Sequence, residues 1–271
     1  MRTLLAAIAL GLCCVPTARA VDLTDPTVAD PHLLVGSTIP FSSSYKRLTV
    51  FPEQLTYDVS WGYLGVGQAT LEITGLVDFD GEPAYRIQSR AISNGFCDTF
   101  YQVRDLNESW VDANTLTSLA YSKKLREGHF VRDEWVTYDT KNKTFLARWV
   151  GKDKNYEVRR GTIPASVQDI LSSMVYLRSQ NLVPGTDVVL DVNTKQNWPL
   201  AIRIIKKESI KTPAGTFKTI LVEPGLRQEG IFIQKGKKLQ IWLTDDDKKI
   251  PVQMKVEVFF GHISAKLVKM L

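Results

Sequence analysis

The residues able to do chemistry in this chain are few and widely spaced. Its three histidines, His32, His129 and His262, show no H-x-x-H or H-E-x-x-H spacing, so zinc chemistry is not expected. A Ser-His-Asp site assembles across sequence, yet no G-x-S-x-G elbow is present to anchor one. Cys97 lies in N-G-F-C-D, where the adjacent Asp98 opposes the lowered pKa that a nucleophilic thiol needs, and it reads as inert. The run D-D-D-K-K at 245–249 lacks the glycine and the alternating carboxylates of a calcium loop and reads as a solvated turn. D-F-D-G-E at 78–82 fails in the same way and reads as hairpin chemistry. Acids such as Glu108, Glu134 and Asp191 sit on or near expected strands. Nothing in their spacing selects a pair facing one cleft, as sugar hydrolysis would require. The expectation is a non-catalytic protein with no metal and no cofactor, a hydrolase being the least favoured reading.

Binding is what remains. Basic clusters occur at Lys123-Lys124-Arg126, Arg159-Arg160, Lys206-Lys207, Lys235-Lys237-Lys238 and Lys248-Lys249. At turns and strand ends such lysines discourage edge-to-edge aggregation; their other use is to meet an anionic partner such as phospholipid headgroups or an acidic envelope polymer. The six tryptophans, Trp61, Trp110, Trp135, Trp149, Trp198 and Trp242, all fall on or beside expected strands. They suit core packing, or the lining of an apolar cavity between sheet and helix.

These residues must be positioned by a sheet and one helix. Residues 166–180, S-V-Q-D-I-L-S-S-M-V-Y-L-R-S-Q, repeat apolar side chains at helical spacing through Val167, Ile170, Leu171, Met174 and Leu177, with Val175 at the edge. Ser166 with Asp169 three residues on gives a capping-box-like start, and Pro184-Gly185 closes the segment. The predicted helix therefore spans about 167–180. Elsewhere the chain alternates: Leu55, Tyr57, Val59 and Trp61 share one face, and Val252, Met254, Val256, Val258 and Phe260 form the cleanest period-two run. About a dozen strands follow one another through tight turns, which predicts a mainly β, antiparallel architecture. It is read as a single curved sheet, or an open or closed β-barrel, with the helix packed against it. Met174, Tyr176 and Arg178 on the helix, with Trp61 and Trp242, are the candidate ligand-binding residues.

The N-terminus reads as a targeting signal. Arg2, the apolar run at 4–15 and the Ala18-Arg19-Ala20 cleavage pattern predict a signal peptide over 1–20, cleaved near Ala20. Neither Cys13 nor Cys14 follows the small residue that a lipoprotein signal needs. Residues 21–47, rich in Asp, Pro, Ser and Thr, read as a flexible leader or a strap over the domain surface, with order beginning near Leu48. Residues 48–271 read as one β-rich domain. Losing Arg2 and Arg19 lowers the formal charge from +5 to +3, too mild an excess to argue for nucleic acid. Cys97 would then be the sole cysteine, so no internal disulfide is expected. A domain of about 225 residues, burying roughly 70 % or more of its unfolded surface, can stand on its core alone. Export, a lone thiol and no further apolar segment long enough to span a membrane together predict a periplasmic protein.

Four patches then carry a resemblance: L-T-Y-D-V-S-W-G-Y-L-G-V-G from Leu55, D-I-L-S-S-M-V-Y-L-R from Asp169, K-T-P-A-G-T-F from Lys211, and I-W-L-T-D-D-D-K-K-I-P-V from Ile241. In that order they resemble the exported bacterial family called domain of unknown function 3108. The resemblance implies a β-rich periplasmic domain and assigns no activity. The functional expectation is a protein that binds or carries a lipid-like, amphiphilic or anionic envelope component. The alternative is a scaffold or assembly factor that docks another envelope protein.

Overall fold

The computed structural model of the chain describes residues 30–42, 44–45, 52–150, 156–225, 238–258 and 260–271. The expected signal segment, the first part of the leader and a strand expected at 230–234 lie outside them. A short strand β1 (Val35–Thr38) precedes a long antiparallel meander: β2 (Glu53–Trp61), β3 (Leu64–Phe79), β4 (Glu82–Ser93), β5 (Arg104–Asp112), β6 (Ser118–Glu127), β7 (Phe130–Asp139), β8 (Thr144–Val150) and β9 (Tyr156–Thr162). A second meander follows: β10 (Asp187–Asn193), β11 (Asn197–Thr212), β12 (Gly215–Pro224), β13 (Leu239–Thr244), β14 (Pro251–Glu257) and β15 (His262–Met270). Strands consecutive within each meander pair antiparallel, and β15 pairs with β2, so both meanders join in one sheet whose end strands are β9 and β10. The sheet is not closed by a backbone ladder between those two.

Local chemistry explains the turns. Asp80 and Gly81 both take positive φ, 51° and 83°, as a two-residue hairpin turn demands. Gly67 is required for a different reason: a Cβ there would meet the carbonyl oxygen of Ile92 at 2.2 Å. Gly65 and Gly67 lie within β3, which runs on to Phe79, whereas Gly62, at φ 58°, makes the turn before it.

Two helices occur among the described residues, a single turn α1 (Gly95–Asp98) and α2 (Ile170–Arg178). The helix expected at 167–180 is thus shorter and capped elsewhere. Asp169 is the N-cap, in a reciprocal capping box with Ser172, and Ser166 takes no part. The cause lies just upstream, where residue 168 is held extended. The Gln168 N–H donates to the Asp191 carbonyl and its own carbonyl accepts from the Asn193 N–H, both at 2.8 Å. A residue bridged to a strand in this way cannot begin a helix. The expected stripe shifts with the cap. Ile170 is exposed, while Val175 and Leu177 are buried.

Those two residues make α2 a wedge. Val175 packs with Ile73, Tyr85, Ile87 and Val111 of the first meander. Leu177 packs with Leu190, Ile202, Ile204, Ile241 and Leu243 of the second. Each such burial stabilises the fold by about 1.5–3 kcal/mol.

The leader region corrects a second expectation, that order begins near Leu48. Pro31–Leu34 form a 3-10 turn capped by Asp30, and β1 pairs with the far end of β3 through Val35–Phe79 and Thr38–Val77. Leu34 and Val35 lie on Phe79, Trp110 and Leu119, and the His32 ring meets Trp110 edge-on at 5.1 Å. This part of the leader is a strap on the sheet's outer face.

Candidate functional site

Alternation along β5 separates the two faces of the first meander. Ser109 and Val111 point toward α2, while Glu108 and Trp110 point toward the strap. On the α2 side, three apolar residues each join two separate core clusters and yet remain partly exposed. They are Leu71, Tyr176 and Met254. Met174 beside them is also only half-buried. These side chains mark the place beside α2 where the three clusters meet and apolar packing is incomplete, and this junction is the candidate concavity.

The same face of the sheet turns polar along one register row, in which Leu71 pairs with Ser89, Ser89 with Asn107 and Asn107 with Lys123. Lys123 pairs in register with Asn107 on β5 and Glu134 on β7. Glu134 accepts from the Lys195 ammonium at 3.2 Å and lies 2.6 Å from Arg132 Nε. Lys195 also sits 5.0 Å above the Trp149 ring, a cation–π contact. Burial pulls the Lys123 ammonium below its ordinary pKa, with Lys195 and Arg132 adding repulsion and Glu134 opposing. Lys195 comes from the turn between β10 and β11, so this cluster also spans the open seam of the sheet. Side chains bridge that seam where the backbone does not: Arg159 donates to Gln196, Asn197 to the Thr162 carbonyl, and Tyr138 to the Asn193 carbonyl.

Farther along the same face, Glu127 lies buried against Asp105. Burial, with repulsion from Asp105, pushes the Glu127 carboxyl up to about 7. The folded protein therefore holds a proton that an unfolded chain, with a carboxyl near 4.5, has already released. Stability is expected to fall as pH rises from about 4.5 to about 7 and to level above that, and Glu127→Gln removes this slope. Urea unfolding at about pH 5 and about pH 8 checks it; an equal slope in both proteins would contradict the assignment.

The strap carries a second charged cluster. His32 bonds to Asp30 and Glu108, and Glu108 also accepts from Arg86 at 2.6 Å and Gln88 at 2.5 Å. Burial alone would lower the His32 pKa, but the two carboxylates outweigh it and hold it at about 9. Burial likewise opposes ionised Glu108, yet its three donors bring it down to about 2. For His32 the folded pKa lies above 6.5, so strap docking is fully supported below that pH and loses this support as pH climbs through about 9. Trp110 fluorescence should titrate with the imidazole beside it, and the His32→Gln difference spectrum should lack that step.

Of the five candidate ligand residues, the structure brings two together. Met174 and Tyr176 both lie, partly buried, at the junction of clusters beside α2. Arg178 does not join them, because it is buried in a bidentate pair with Glu53 at 2.7 and 2.8 Å. Trp242 packs with Leu55, Tyr57 and Leu267, while its neighbours Ile241 and Leu243 pack with Leu177 in another cluster. Its indole donates to Glu208 at 2.9 Å. Trp61 stands at a rim, half-exposed, donating to the Phe260 carbonyl at 2.6 Å. The sequence reading missed Lys123 as a lining residue, although it shares strand parity with buried Tyr121 and Leu125. Cys97 sits in α1 and is half-buried. Among the described residues no group of three or more His, Cys, Asp or Glu could hold a metal ion, and no helix is long and apolar enough to cross a membrane.

Comparison with known proteins bears on the fold. A family profile described as "Protein of unknown function (DUF3108)" matches residues 56–268. No curated protein matches in sequence. A β-barrel-like protein of the domain of unknown function DUF1849, from Brucella abortus, is similar with a TM-score of 0.57 at 10% identity, over 83% of this chain and 99% of that one. The hypothetical protein CT021 from Chlamydia trachomatis matches at 9% identity with a TM-score of 0.37, over 83% of this chain and 89% of its own. The first likeness is one of fold.

Proposed function

The chain belongs to the DUF3108 family of proteins of unknown function, and on that premise we propose that it is a non-catalytic protein of the cell envelope that binds an anionic amphiphile. In this reading the first twenty residues direct export to the periplasm and are removed. The observation that carries it is the two-sided concavity beside α2. Leu71, Met174, Tyr176 and Met254 offer half-exposed apolar surface, and Lys123, Lys195 and Arg132 gather on the polar wall around Glu134. An acyl chain suits the first surface and an acidic headgroup the second, since a ligand site needs apolar contact with a few convergent polar groups. With Glu127 holding its proton near neutral pH, cations outnumber carboxylates on that wall.

The test is recovery and competition. Protein purified from its host is extracted with organic solvent, and a fluorescent fatty acid is titrated onto the delipidated chain. Saturable binding that weakens about tenfold in Lys123→Glu is expected, from loss of one partly buried charge contact. No recovered lipid together with no saturable binding would end the carrier reading. A discrete periplasmic crosslink to another protein, in that case, would favour a docking scaffold.

A further inference from the structure

Among the described residues most exposed aromatic side chains gather at one end of the sheet, Phe41 on the strap apart. The turns β2–β3, β4–β5, β6–β7 and β14–β15 all fall at one end of the sheet, by the antiparallel order of the strands. They carry Tyr63 and Leu64, Phe96 and Phe100, Phe130, and Phe260, every one of them exposed. Hydrogen bonds and a ring contact tie neighbouring turns together. Gly62 N–H donates to the His262 carbonyl at 2.9 Å, and Trp61 donates to the Phe260 carbonyl. Asn94 donates through its side chain to the Gly65 carbonyl at 2.8 Å and then caps α1. Phe96 and Phe100 meet at 5.7 Å between ring centroids. Gly128 N–H donates to the Gln102 carbonyl at 2.7 Å, beneath the Tyr101 ring, two residues before Phe130.

Charge at this rim is arranged around that apolar surface. Asp98 is neutralised by Arg104 at 2.5 Å. Behind the tips, on the outer strand faces, Arg126 pairs with Asp133, exposed Lys266 lies in register with Asp58, and Arg90 is exposed. We propose that this rim is a membrane-docking surface, its aromatic side chains entering the headgroup region of a bilayer whose anionic lipids meet the cations behind it. A ring of separate loop tips, each presenting one or two rings from a short turn, suits a fluid interface, where Trp, Tyr and Phe settle at headgroup depth. Basic residues close behind add attraction to anionic headgroups that salt screens. Docking at the rim does not depend on the concavity holding a ligand.

Vesicle flotation tests it, using residues 21–271, which contain every described element. Vesicles are phosphatidylcholine alone, or with about one part in three phosphatidylglycerol. Binding is expected, stronger on the anionic vesicles, and about tenfold weaker in Tyr63→Ser/Phe100→Ser. Both of these side chains are exposed and their loss leaves the core intact. Val189→Ser, a change at another exposed apolar residue away from the rim, should bind as the parent does. Failure of the parent to bind either vesicle overturns the proposal. So does binding that the rim variant leaves unchanged, or a rim that crosslinks to a protein and ignores lipid.

Discussion

Asp169→Ala lowers the stability of the protein by about 3 kcal/mol or more, one of the two large single-residue losses expected outside the apolar core. The side chain is completely buried. One carboxylate oxygen accepts from Ser109 and Ser118 hydroxyls at 2.6 and 2.5 Å, and the other from the backbone N–H groups of Leu171 and Ser172 at 2.7 and 3.0 Å. Alanine removes the helix cap, a loss of about 1 kcal/mol. It also strands two buried hydroxyls, at about 1–3 kcal/mol for each unsatisfied group. Burial raises the Asp169 pKa, and the four donors oppose that rise. Asp169→Asn keeps the cap acceptor and lets the serine hydroxyls turn around, so it should cost clearly less. Urea midpoints of the three proteins decide the matter. An alanine variant within about 1 kcal/mol of the parent would show that the cap does not anchor α2.

The opposite end of α2 yields the second large effect. Arg178 and Glu53 are each 4% exposed, and the guanidinium also donates to the Lys248 carbonyl at 3.1 Å. This ties the helix C-terminus to β2 and to the turn between β13 and β14, and so joins both meanders through one side chain. Arg178→Met leaves the Glu53 carboxylate buried without its partner and should cost about 3–5 kcal/mol. Glu53→Leu/Arg178→Met removes both charges and should recover most of that loss, because a buried pair mainly offsets its own desolvation. A double variant as unstable as the single one would mean that the pair supplies net stability.

These two anchors mark where sequence reading reached and where it stopped. Period-two runs such as the one from Val252 and the Asp80-Gly81 turn identify strands and hairpins from local chemistry, and the structure keeps those strands to within a few residues. The helix was visible as a helix, but its start was not. Asp169 caps it because Gln168 is bridged to a strand twenty-odd positions away, and no local pattern contains that information. Arg178 read from the sequence as a candidate ligand contact; its long-range meeting with Glu53 is what takes it from that group. The polar wall of the concavity is drawn from four strands and a turn. Each member looks like an ordinary strand or surface charge by itself. Lys123 is the instructive case, because its neighbours Lys124 and Arg126 belong to the outer face and hid its parity. His32, in a stretch that read as leader, is placed by Glu108, a residue on β5.

The concavity beside α2 is tested most directly by photocrosslinking with a fatty acid that carries a diazirine near the end of its chain. Adducts at Leu71, Tyr176 or Met254 are expected, and excess unlabelled fatty acid should abolish them. Adducts confined to the outer strand faces, or labelling that competitor leaves unchanged, would contradict an interior site for an amphiphile.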